Sequence, residues 1–182
     1  MESFKSGFCR MVKLIVSLFF IFFINIARAE FLLGVSTNSW QELVPVIIQN
    51  VQSDALTSFT GLGVSTGYQY KYTDRMYIIA SVSFLSGTVD VHKQSNAIAP
   101  RRNFTSYWIS NKLIWRSTKS FTYGPNLVIN YRKLDELQPV LSYGVFIDLN
   151  YEIFQEIRLT QSLGTISDSK QIAYSISLNR VF

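Results

Sequence analysis

Over most of its length this sequence places an apolar side chain at every second position. Between residues 61 and 72, Leu62, Val64, Thr66, Tyr68, Tyr70 and Tyr72 fall on one side, and Gly61, Gly63, Ser65, Gly67, Gln69 and Lys71 on the other. A period of two is that of a β-strand with one greasy face, and no helix can satisfy it. The same alternation runs through 121–132, 141–150 and 172–182, and in weaker form through 31–38, 76–85, 104–116 and 153–163. Eight strands result. An even number returns the chain to the side from which it started, as a closed antiparallel barrel requires.

The connections carry independent information. Links near Thr73-Asp74-Arg75, over 117–120 and over 150–152 are short, whereas those over 39–60 and 86–103 are long. The two remaining links, 133–139 and 164–170, are intermediate. Short turns alternating with longer loops are the asymmetry of barrels that cross a membrane. A soluble lipocalin-like barrel has the same period with its faces reversed. Here the polar face consists of Gly, Ser, Thr and Asn with few charges, which suits a crowded lumen better than a water-exposed wall. Aromatic residues also gather near strand ends: Tyr68, Tyr70, Tyr72, Trp115, Phe121, Tyr123 and Tyr151. Rings of this kind gain by sitting at the headgroup level. The expected fold is therefore all-β, an eight-stranded antiparallel up-and-down transmembrane β-barrel, whose interior side chains fill without leaving an open channel.

The amino terminus reads differently. Lys5, Arg10 and Lys13 precede an apolar run of 13 residues from Leu14 to Ile26, followed by Ala27-Arg28-Ala29. This is the layout of a secretory signal peptide cleaved after Ala29, and the run is too short for a spanning helix. Residues 1–29 are thus expected to be removed, leaving residues 30–182 as the barrel domain. Four basic side chains and one acid leave with it, so the formal charge falls from +5 to +2. A nucleic-acid partner is not expected, because no dense basic patch remains. Cys9 leaves too, which excludes an intrachain disulfide and a thiolate metal site from the mature chain.

The final strand, with Tyr174, Ile176 and Leu178 alternating toward Phe182, resembles that of small bacterial outer-membrane proteins of the OmpA/OmpX type. The resemblance implies residence in the bacterial outer membrane, among outer-membrane lipid and lipopolysaccharide. It also implies that Tyr174, Ile176, Leu178 and Phe182 form the signal read by the barrel-assembly machinery. Arg180 departs from the pattern, which would place an apolar residue there.

The inward-facing set contains Lys71, Lys112, Arg116, Arg132, Asp148, Glu156 and Arg158. Buried charges must be paired, so Lys112, Asp148, Glu156 and Arg158 are expected to form a lumen charge network in which Glu156 pairs with Lys112 or Arg158. Candidate chemistry is sparse. His92 has Asp90 and Ser95 nearby, but neighbours on one loop do not make a catalytic triad, and no local hydrolase signature accompanies them. No catalytic residue, metal site or cofactor is assigned. The loops remain. The first holds Trp40 and the apolar stretch 44–48; the second holds His92, Lys93, Arg101 and Arg102, cations suited to lipopolysaccharide phosphates or a surface partner. The expected role is structural or surface-interacting, non-enzymatic and monomeric, with a small passive channel and a lipid-modifying enzyme as the alternatives.

Overall fold

The computed structural model describes residues 29–48, 51–91, 102–134, 138–167 and 172–182. Eight strands follow one another: β1 (Ala29–Ile48), β2 (Val51–Thr73), β3 (Met76–Val91), β4 (Arg102–Arg116), β5 (Phe121–Leu134), β6 (Val140–Phe154), β7 (Ile157–Ile166) and β8 (Ala173–Val181). Each pairs antiparallel with the next, and β8 returns to β1 to close the barrel. At the seam Leu32 lies opposite Val181 and Ser39 opposite Tyr174. Closure leaves no lateral edge within the paired region, which a wall surrounded by hydrocarbon demands.

Alternation places the apolar set outside. Three consecutive residues of β6 show it: Phe146 is 1 % exposed, Ile147 60 % and Asp148 0 %. Leu62, Val64, Leu127, Val145 and Leu163 likewise face outward. A ring of aromatics bounds this belt at each end. Trp115 and Tyr107 on β4, Tyr123 and Tyr131 on β5, and Tyr151 and Tyr143 on β6 each stand eight residues apart. At a rise of about 3.3 Å per residue that is roughly 26 Å along the strand, or about 20 Å across a membrane once the usual tilt is applied. Neighbouring rings touch around the wall, Phe84 with Tyr107 at 5.2 Å and Phe121 with Tyr151 at 5.0 Å between centroids.

Strand lengths depart from the sequence expectation at both ends of the barrel. Most of the stretch 39–60, expected to be a long loop, is strand: β1 and β2 stay paired from Trp40 opposite Phe59 up to Ile48 opposite Val51. β3 likewise continues to Val91 and β4 begins at Arg102. The physical reason is an inversion of the pattern. Beyond the aromatic ring the buried positions become mainly apolar (Trp40, Val44, Phe59, Val89, Phe104, with Glu42 and Thr57 among them), while the outward ones become mainly polar (Gln41, Ser58, Thr60, Thr88, Asp90), Leu43 being an exception. A wall above the lipid meets water outside and packs inside, so the period persists while its sense reverses.

At the opposite end the third turn is displaced. It was expected at 150–152, but β6 runs on to Phe154 and a two-residue turn, Gln155-Glu156, joins it to β7. Glu156 adopts φ 73° there, the left-handed region that residues bearing a Cβ enter only at a cost. The other turns, Asp74-Arg75 and 117–120, lie where expected. All three short turns therefore lie at one end of the barrel, and the links at the other end are those over 49–50, 92–101, 135–139 and 167–172.

Candidate functional site: the lumen

Inward side chains sort into three levels. Near the turns, Leu32, Tyr77, Ile79 and Ile114 form a small apolar cluster with Val181 against it. Above it lies a polar cavity of about 70 Å³ lined by serines, threonines and asparagines, among them Ser36, Ser81, Asn126, Thr160 and Asn179. A space of that size is large enough to admit water. At the loop end, aromatic side chains fill the cross-section. Trp40 stacks on Phe59 at 5.0 Å with the planes 5° apart, and Phe104 meets both edge-on at 5.4 Å. Trp108 continues the packing to Trp40 at 5.6 Å and to Phe146 at 5.7 Å. Room for Phe146 comes from its neighbours: a Cβ at Gly164 would stand 2.6 Å from its ring, and one at Gly144 2.7 Å.

A charge pair is set into the aromatic plug. Arg132 on β5 reaches Glu42 on β1 in an ion pair whose side chains are 3 % and 1 % exposed. Arg132 also lies over the Phe59 ring at 4.4 Å, and Trp40 Nε1 donates to Glu42 Oε1 at 2.6 Å. Each charge thus has its counter-charge and at least one further polar or aromatic contact, the condition under which a buried ion pair is tolerated. The sequence reading missed Glu42 because it placed that residue in a loop. Its signal was the alternation Trp40, Glu42, Val44, which continues the inward phase of β1.

The expected lumen charges separate into different environments. Lys112 Nζ stands 2.6 Å from Asp148 Oδ2 on the cavity wall, and Asn126 Nδ2 donates to Asp148 Oδ1 at 3.2 Å. Arg158 turns instead to Gln69, donating to Oε1 at 2.6 Å, while Gln69 Nε2 donates to Glu30 Oε2 at 2.8 Å. Glu156 corrects the expectation that it would pair with Lys112 or Arg158. It sits exposed in the Gln155-Glu156 turn, outside the lumen, and pairs with Arg180 at 3.3 Å. Moving the turn from 150–152 to 155–156 is what takes it out. Lys71, also expected inward, lies at the exposed turn end beside Asp74 at 2.7 Å. Arg116 lies over the Tyr77 ring at 4.9 Å.

On the terminal strand, Tyr174, Leu178 and Phe182 face outward, and Ile176 is in phase with them. Phe182 is tied to β1 through reciprocal backbone bonds with Phe31, 2.9 and 3.3 Å. Arg180, the departure from the resembled pattern, lies over the Phe182 ring at 4.7 Å with Glu156 beside it. Of the four cations expected to contact lipopolysaccharide or a partner, His92, Lys93 and Arg101 lie outside the described residues. Arg102 opens β4 opposite Val89. Among the described residues no group of three His, Cys, Asp or Glu side chains is placed to hold a metal ion.

No protein-family model and no curated protein matches the chain. Its fold is nevertheless shared with solved structures. The outer membrane protein OprG from Pseudomonas aeruginosa superposes with a TM-score of 0.54 at 11 % identity, covering 85 % of this chain and 96 % of that one. Ail, the attachment invasion locus protein of Yersinia pestis, in complex with the heparin analogue sucrose octasulfate, gives 0.50 at 13 % identity, covering 85 % and 97 %. At such identities the likeness is one of fold. It shows the eight-stranded barrel fold of these outer membrane proteins.

Proposed function

We propose that this chain is an integral protein of the bacterial outer membrane, non-enzymatic, whose barrel carries a structural or surface-interaction role at its loop end. One observation carries the reading: the outer wall between the two aromatic rings is apolar while the lumen behind it is polar and capped by the aromatic plug. The turn end then lies in the periplasm and the loop end outside, the usual orientation of such barrels. The walls of β1, β2 and β3 continue past the belt, and this extension is the surface offered to partners. His92, Lys93, Arg101 and Arg102 are proposed to meet lipopolysaccharide phosphates there, and Tyr174, Ile176, Leu178 and Phe182 to guide assembly. The plug of Trp40, Phe59, Phe104 and Trp108, locked by Glu42 and Arg132, speaks against a passive channel, since the polar cavity ends beneath it.

Membrane fractionation with gel mobility before and after boiling, joined to planar-bilayer recording, tests the reading. A band in the outer-membrane fraction that shifts on boiling, with no conductance steps, is expected. A folded protein recovered from the periplasm without detergent would overturn the membrane assignment. Reproducible conductance steps would replace the structural role by the channel.

A further inference from the structure

The lipid-facing belt contains one residue that does not belong to it. Asn111 points outward from β4, four residues from the ring of Tyr107 and four from that of Trp115, hence at mid-depth. Around it stand Ile109 and Leu113 on its own strand, Val82 on β3, and Leu127 and Ile129 on β5. Its side chain makes no hydrogen bond to any described residue. Outward Thr37 and Thr66 differ, because a hydroxyl can turn back onto a nearby backbone carbonyl. Gln161, the other carboxamide on the belt, is opposite Leu149, two positions from the ring of Tyr151, and is long enough to reach the interface. Asn111 is too short to snorkel from the centre. A carboxamide in hydrocarbon without partners is costly, and the structure supplies none.

The wall beside Asn111 is recessed and interrupted. Ala80 is its direct neighbour on β3, so no bulky side chain covers the amide on that side. On the other side the β4–β5 ladder runs to Lys112 opposite Asn126 and resumes at Trp115 opposite Tyr123. The break falls at Pro125, which faces outward and has no N–H to donate. The strands have not parted: a Cβ at Gly124 would lie 1.9 Å from the Leu113 carbonyl oxygen. The patch is therefore a closed surface with an unsatisfied amide in a shallow hollow, rather than a gap in the wall.

We infer that the β3–β5 face is a self-association surface, through which a second copy of this chain docks by placing its own Asn111 against the first. A carboxamide both donates and accepts, so two copies related by a two-fold axis satisfy one another. Interhelical amide pairs act in membranes in the same way. The inference departs from the monomer expected from sequence. It rests on the proposal that this belt meets lipid.

Donor- and acceptor-labelled full-length mature chain, refolded into phosphatidylcholine vesicles over a range of protein-to-lipid ratios, tests it. Energy transfer rising with protein density is expected, and Asn111→Leu is expected to weaken the dimer about tenfold. Asn111→Leu puts an ordinary lipid-facing side chain on the wall, so its boiling-dependent gel shift should persist; Asn111→Ala provides a second variant. Copies carrying Asn111→Cys should cross-link, and copies carrying Val35→Cys on β1, on the far side of the barrel, should not. A barrel that inserts and shifts on boiling yet shows no density-dependent transfer would overturn the inference alone. Equal transfer in Asn111→Leu would also overturn it. Failure to insert would overturn the membrane reading as well.

Discussion

Glu42 and Arg132 show how much one buried charge depends on its partner. Removing either leaves the other uncompensated in an aromatic enclosure, so Glu42→Gln or Arg132→Met should cost about 3–5 kcal/mol of unfolding free energy. The double variant Glu42→Leu with Arg132→Met should recover most of that loss, and urea unfolding from lipid vesicles measures both. Glu156→Gln, by contrast, touches an exposed pair with Arg180 and should change stability by less than about 0.5 kcal/mol. Legibility at this scale followed the strand boundaries. Lys112 and Asp148 lie well inside their strands, away from any displaced turn, and both were assigned inward from sequence. Glu156 was misplaced because a turn moved by a few residues, and Glu42 because its surroundings did not resemble a membrane strand.

Turns and strand extensions belong to the next scale. Glu156 holds φ 73° at the β6–β7 turn, a region that a residue with a Cβ occupies at a cost of about 1 kcal/mol. Glu156→Gly should therefore raise the unfolding free energy by roughly that amount, less the small loss of its exposed pair with Arg180. At Gly87 the strands approach so closely that a Cβ would lie 2.1 Å from the Thr60 carbonyl oxygen and 2.5 Å from the Gly61 Cα. Gly87→Ala should accordingly lower the fraction of chain that shows the boiling-dependent gel shift. The belt segments were legible because apolar-out alternation persists between the aromatic rings. The extensions of β1, β2 and β3 were not, because the pattern changes sign where the wall leaves lipid. Trp40, Phe59 and Phe104 are apolar because they pack inside, and a rule seeking apolar residues outside passes over them.

For the whole molecule, two solvents shape one barrel. Between the rings, hydrocarbon outside selects apolar outward residues, and the narrow lumen accepts Ser, Asn and Thr around its cavity. Above them, water outside selects polar outward residues, and the core becomes aromatic. The overall fold was legible because the period marks the strands and, once their apolar face meets hydrocarbon, backbone pairing demands closure. The plug was not, because it lies in the region where the sense of the period reverses. Nitroxide labels placed singly along β5 and β6, at Leu127, Val128 and Ile129 and at Val145, Phe146 and Ile147, test the arrangement of faces in vesicles. The labels at 127, 129, 145 and 147 are expected to collide freely with dissolved oxygen, as lipid-exposed sites do, and those at 128 and 146 to be shielded. Uniform accessibility, or shielding at the odd positions instead, would contradict a barrel with its apolar face in lipid.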